Sequence, residues 1–349
     1  MNIELLEKCI SESTAKVFSS EFFISVAGKI LRLRFENAQL YEYFSWHMIC
    51  LKTTVNRNDS IFADILISFS HTAKIATNDI PSDKEIVFVD LPQSNIHVRL
   101  RNDKFLDGLV IAWDSINKTG HLIIAPSSFE QFSSMSHKLA PLIAMMADDM
   151  GVCVLHSAAV GLDAENGLLI SGQSGTGKST LAVACLNFGM YFVSDDTILF
   201  DYKNKLAYLI SSTCHLGPEM LGQFKNLNIS KARQYKGRAN KNHIDLSGLS
   251  DKIIPCIQIK GIVAPQISPG SESSYERAEK GSVLLPLIMS SAVQFKIPPN
   301  SEYSRRAFGY LKDLPVFNMK SGNNMEKNAE TVKLILKKII ESEKKDVCD

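Results

Sequence analysis

The residues best suited to chemistry lie between His156 and Asp196. The segment Gly172-Gln173-Ser174-Gly175-Thr176-Gly177-Lys178-Ser179, followed by Thr180, satisfies the spacing G-x-x-x-x-G-K-[ST] at every fixed position. Each element has a reason. Glycines let backbone wrap a polyphosphate where a Cβ would block the approach, and consecutive N–H groups leading into a helix N-terminus present partial positive charge to an anion. A lysine at the seventh position reaches β- and γ-phosphates, and the hydroxyl after it suits Mg2+. A Gly/Ser-rich surface turn is the competing reading. It is disfavoured by the apolar run before the loop and the helix-forming run Thr180–Asn187 after it, which stops at Gly189.

A second feature follows at once. The apolar stretch Met190–Val193 delivers Ser194-Asp195-Asp196 beside the loop. One carboxylate could hold Mg2+ while the other accepts a proton from an attacking hydroxyl, which is what phosphoryl transfer asks of a protein. Alternatively the pair opens a turn into the next apolar run. His156, upstream in Val154–Val160, reads by itself more as a satisfied core histidine than as a site residue.

The elements that must position these residues follow from periodicity. Residues 1–130 read as a β-rich (α+β) domain. They open with a short helix and a hairpin across Phe23–Phe35, and strand-like runs follow at Ala63–Phe69, Glu85–Asp90, Asn95–Arg101, Leu109–Trp113 and His121–Ala125. Without an evident crossover helix between them, an antiparallel sheet is expected. Residues 131–349 read as the α/β domain that carries the loop. A helix over Ser133–Met150 leads in, strands at Val152–Leu162 and Leu168–Ser171 flank an Asn-Gly turn, and a C-terminal amphipathic helix buries Val332, Ile335, Leu336, Ile339 and Ile340. The charged tail Glu341–Asp349 is expected to fray.

Bulk properties exclude several classes. A net charge of +1 argues against a general nucleic-acid or membrane-surface binder. No run approaches the ~20 apolar residues that span a bilayer. The opening Met1–Ser13 has acidic residues and does not read as a secretory signal. Seven scattered cysteines with no CxxC pair suggest neither a disulfide framework nor a zinc knuckle, so a reducing cytoplasm is expected.

Taken in order, Leu155–Val160 with its histidine, the hairpin, the loop Ile170–Thr180 and Gly189–Asp196 resemble HPr kinase/phosphorylase, and more closely the wider group of HPr-kinase-like bacterial proteins. Phosphoenolpyruvate carboxykinase shares that core more distantly. The resemblance implies an α/β fold of the P-loop kinase type, ATP and Mg2+ as cofactors, and transfer of a γ-phosphoryl group to a hydroxyl. It implies that Lys178 and Ser179 hold triphosphate and metal, that Asp196 is the base with Asp195 nearer Mg2+ (roles that could be exchanged), and that His156 matches the family's active-site histidine. It also makes a homo-oligomer an expectation to test.

True HPr kinases carry a downstream Asn/Arg-rich signature that is absent here, so neither the phosphorylase reaction nor HPr as acceptor is implied. In its place stands a basic segment, Lys231–His243. That segment either places Lys236 or Arg238 on the γ-phosphate or is a solvated loop. The β-rich front half resembles relatives encoded beside peptide-modification genes, some of which phosphorylate a serine in a ribosomally made peptide. The expected acceptor is therefore a serine of a protein or peptide. The alternatives are a small-molecule hydroxyl, or a nucleotide-binding regulator with little transfer.

Overall fold

The computed structural model describes residues 3–48, 51–56, 59–78, 86–91, 95–103, 106–129, 139–173, 175–224, 226–227, 234–236, 242–246, 250–270, 272–295, 297 and 303–346. The chain divides into two compact units, Met1–Met150 and Gly151–Asp349.

The first unit contains α1 (Ile3–Ala15), β1 (Ser20–Val26), β2 (Lys29–Phe35), α2 (Ala38–His47), β3 (Lys52–Thr53), β4 (Ile61–Phe69), α3 (His71–Asn78), β5 (Ile86–Asp90), β6 (Ile96–Asp103), β7 (Leu106–Asp114), β8 (Thr119–Ile124) and α4 (Ala140–Met150). Its eight-stranded sheet runs β3-β1-β2-β4-β8-β7-β6-β5. The expected antiparallel sheet is corrected to a mixed one, because β4 pairs parallel with both β2 and β8. The crossover that permits this is α2. Its aromatic-rich sequence hides a helix capped by Asn37, whose side chain accepts the Leu40 N–H at 3.1 Å, and which buries Leu40 and Phe44. Alternate residues of β6–β8, including Val98, Val110, Ala112 and Ile123, pack beneath Leu6, Cys9 and Ile10 of α1. Helix α4 packs on β7 and β8 and closes the first unit, which ends at Met150. The expected helix over Ser133–Met150 is seen from Ala140, and residues 130–138 lie outside the described residues.

The second unit contains β9 (Cys153–Leu155), β10 (Ala158–Gly161), β11 (Gly167–Ile170), α5 (Lys178–Asn187), β12 (Tyr191–Ser194), β13 (Ile198–Asp201), β14 (Leu206–Tyr208), β15 (Thr213–Leu216), β16 (Gln234–Lys236), β17 (Asn242–Asp245), β18 (Cys256–Ile267), β19 (Ser274–Arg277), α6 (Lys280–Phe295), α7 (Tyr303–Leu311), β20 (Val316–Ser321) and α8 (Met325–Asp346). The main sheet follows β12-β10-β11-β18-β14-β13-β9, with β20 also on β18 and β19 on β20. A small separate sheet runs β15-β17-β16. Strands β11, β18 and β20 are parallel, while β10 joins β11 as an antiparallel hairpin whose turn is held by the Asp163 carboxylate.

Helices α5 and α8 share a core with Val160, Leu168, Ile170 and Val263, and α8 contributes Val332, Ile335, Leu336 and Ile339 as its stripe requires. That helix includes Glu341–Asp346 of the charged tail, and residues 347–349 lie outside the described residues. The single strand expected over Val152–Leu162 is two strands broken at His156-Ser157. Before the break the chain pairs with β13, and after it with β11 and β12. Among the described residues no helix is long and apolar enough to cross a membrane.

Candidate functional site

The loop between β11 and α5 has the conformation its glycines were expected to permit. Gly172, Gly175 and Gly177 all have positive φ, at 145°, 90° and 94°. At Gly172 a Cβ would stand 2.7 Å from Thr176 Oγ1, so the turn also needs the missing side chain. The loop closes on itself: Thr176 donates through both its N–H (3.4 Å) and its hydroxyl (3.0 Å) to the Gln173 carbonyl. Gly177 caps α5 in a left-handed conformation, and the Gly177 carbonyl accepts the Leu181 N–H. Lys178 is buried, its ammonium donating to the carbonyls of Gly172 (2.7 Å) and Gln173 (3.1 Å). The cation thus lies folded over the loop mouth. Ser174 lies outside the described residues.

Strand β12 carries the chain to Asp195 and Asp196 in a tight turn, in which the Thr197 N–H donates to the Asp195 carbonyl at 2.8 Å. Asp195 is fully buried. Its Oδ2 accepts the His215 N–H at 3.3 Å, whereas its Oδ1 has no hydrogen-bond partner among the described residues. Burial pushes this carboxyl above the usual carboxylate range. The charge of His215 opposes the rise, that of Asp196 adds to it, and the Ser179 hydroxyl and the His215 N–H pull it back. A buried carboxylate oxygen with no donor is a costly arrangement unless a cation completes it.

Asp196 takes φ +68°, a region that L-residues other than Asn and Asp seldom occupy. His156 holds it there. Nδ1 of His156 lies 3.0 Å from the Asp196 carbonyl and 3.2 Å from its Oδ1. Both partners are acceptors, so Nδ1 carries a proton. Two further contacts come from α6. The Ser291 hydroxyl accepts the buried His156 N–H at 2.8 Å, and Gln294 Nε2 donates to Asp196 Oδ2 at 3.3 Å.

The structure therefore brings Ser179, Asp195, Asp196 and His156 together beside the loop. Lys236 ends β16, which pairs with the far side of β17 from β15 and His215. Arg238 lies outside the described residues. Sequence reasoning missed His215, Ser291 and Gln294. The alternation in Thr213-Cys214-His215-Leu216, with Cys214 and Leu216 buried, is the signal that would have set His215 on the polar face of a strand.

Among the described residues no three His, Cys, Asp or Glu side chains form a metal cluster on their own. Chemically, the arrangement offers a glycine-rich loop at a helix N-terminus, a buried carboxylate with one oxygen unpartnered among the described residues, and a second carboxylate oriented by an imidazole N–H.

No family model matches the chain, and no curated protein matches it. Among solved structures it is similar to the Hpr(Ser) kinase/phosphatase from Coxiella burnetii, at 12% identity, covering 56% of this chain and 95% of that one with a TM-score of 0.30.

Proposed function

We propose that this chain is an ATP- and Mg2+-dependent kinase with an HPr-kinase-like P-loop core, which transfers the γ-phosphoryl group to a hydroxyl, a serine of a protein or peptide. The observation that carries the reading is the buried Asp195, set against the Ser179 hydroxyl directly after the loop lysine, with one oxygen unpartnered. Residues 172–180 bind the triphosphate through loop N–H groups and the α5 N-terminus, with Lys178 turning from the loop carbonyls to the phosphates. Ser179 and Asp195 would hold Mg2+, which when bound offsets charge on the phosphate oxygens.

Asp196 takes the proton of the acceptor hydroxyl as the new O–P bond forms and the bond to the ADP oxygen breaks. His156 keeps that carboxylate in place, with its Nδ1–H on the Asp196 carbonyl and carboxylate. The catalysis is positioning and charge stabilisation. The first unit recognises the acceptor in this reading.

The test is ATP consumption by wild type and Lys178→Met, with peptides, small proteins and small hydroxyl compounds offered as acceptors. A loss of about 10²–10³-fold is expected in the variant, the size of removing one charge-stabilising donor. Undiminished turnover in Lys178→Met would sink the phosphate-loop assignment. Phosphorylation confined to small compounds would replace the peptide acceptor with a metabolite, and ATP binding with no transfer would favour a regulator.

A further inference from the structure

A phosphate loop recognises only the charged end of a nucleotide. Its nucleoside needs an apolar surface at a fixed place beside the loop, because a planar base or ribose face gains little from contact with polar, hydrated groups.

Strand β18 supplies such a surface. It is the middle of the three parallel strands β11, β18 and β20, and open α/β sheets place ligands outside the carboxyl ends of such strands. Its last residue is Ile267, which leaves 70% of its surface exposed, whereas Cys256–Pro265 are buried or half-buried. Ile267 also lies against the loop. A Cβ built on Gly177 would meet Ile267 Cγ1 at 3.4 Å and Cδ1 at 3.8 Å, which is ordinary contact distance. The exposed isoleucine is thus packed beside the residue immediately before Lys178.

The backbone beneath it is pinned. Ile267 is in register with Ser321 of β20, and the next residue, Ser268, donates its N–H to the Ser321 carbonyl at 2.9 Å. The turn after β20 is tied to the turn after β18 by the Asn323 N–H on the Gly270 carbonyl at 2.7 Å. Asn328 closes on Gly322 in both directions, its Oδ1 accepting at 3.1 Å and its Nδ2 donating at 2.8 Å. An aliphatic group in this setting is a preformed platform, so covering it costs little ordering.

We infer that Ile267 is the apolar platform for the nucleoside of the bound triphosphate. It deepens the kinase reading of the same loop and rests on that reading. The chemical class is a nucleoside triphosphate, distinguished from inorganic polyphosphate by contact with its nucleoside. Ile267 is a binding residue here and takes no part in the transfer.

The experiment is calorimetric titration of the full chain with Mg-ATP and, separately, with Mg-tripolyphosphate, for wild type, Ile267→Ala and Ile267→Asp. Because the side chain is exposed, neither substitution removes core packing, and unchanged melting of the variants checks this. Ile267→Ala should weaken Mg-ATP about fivefold, equivalent to ~1 kcal/mol, and bind tripolyphosphate as wild type does, while Ile267→Asp, whose added charge repels both ligands, should weaken Mg-ATP more than tripolyphosphate. Equal weakening of both ligands would mean that Ile267 only shapes the loop and would overturn the inference, as would unchanged ATP affinity. Failure of wild type to bind either ligand overturns the nucleotide reading itself and takes the inference with it. Loss confined to the variants leaves that reading standing.

Discussion

Asp196 invites a perturbation that separates backbone from chemistry. At φ +68° the residue sits where glycine would be the default on conformational grounds, yet the chain places an aspartate there and ties it to His156 and Gln294. Three substitutions divide its roles. Asn keeps the tolerance for the left-handed region and removes the charge. Gly removes the strain and the side chain together. Ala keeps neither advantage. The left-handed region costs an ordinary L-residue about 1–2 kcal/mol. Gly escapes that cost but gives up roughly 0.5–1 kcal/mol of chain entropy. All three lose a carboxylate contact with the histidine, whose side chain is 11% exposed against 17% for Asp196.

The expected stability order is therefore Asn and Gly close together, with Ala about 1–2 kcal/mol below. That gap is some 2–8 °C in melting temperature for a unit of this length. Phosphoryl transfer should fall in all three by about 10²–10⁴-fold, the usual contribution of a positioned base, with Mg-ATP affinity little changed. Melting curves read the first arm without any knowledge of the acceptor, and ATP consumption reads the second. An Ala variant as stable as Asn would refute the strain argument. An Asn variant with full turnover would refute the base.

Two other expectations follow from buried polar groups. Ser291→Ala leaves the buried N–H of His156 without its acceptor and should cost about 1–3 kcal/mol in chemical denaturation; a change under half a kcal/mol would mean the bond is dispensable. His121 in the first unit is buried 3.2 Å from Ser13 Oγ, and burial pushes its pKa down to about 4, with Asp114 opposing the fall. The fold favours the neutral ring. Stability is therefore complete above the unfolded value of about 6.5 and is lost as pH falls from there to about 4, by roughly 1.4 kcal/mol per pH unit. Both tryptophans, Trp46 and Trp113, lie in this unit, so intrinsic fluorescence during urea titration at several pH values reads it, and His121→Gln should flatten the slope.

What was legible in the sequence was local. The loop's glycines, Lys178 and Ser179 fall within a single strand–turn–helix, so residue type and spacing nearly specify the conformation. The same holds for α8, whose apolar stripe needs only a period and a core to face. Asp195 and Asp196 were legible as a pair because they end the next strand, although nothing local says which is buried. That depends on His215, twenty positions downstream, whose N–H takes one oxygen of Asp195. The parallel pairing of β4 escaped for a related reason: its partners are fixed by α2 and by the return of the chain through β5 to β8, and an alternating strand reads alike in either direction.

The histidine shows where the limit lies. Within an apolar run, His156 has no feature to tell a core residue from a site residue, and the run itself shows no break. The break exists because the chain changes partners there, leaving β13 for β11 and β12, and that exchange is a property of the sheet. It places the imidazole where two distant segments meet it: Asp196, forty residues on, at its Nδ1, and Ser291, 135 residues on, at its backbone N–H. Helix α6 supplies Ser291 and, three residues later, Gln294 on Asp196, so one element fixes the backbone of the histidine and the carboxylate it holds. A residue ambiguous alone thus gains a proton on Nδ1 and a definite partner once long-range hydrogen bonds are known. The acid–imidazole pair is a product of the fold, whereas the glycine-rich loop beside it is a product of the local sequence.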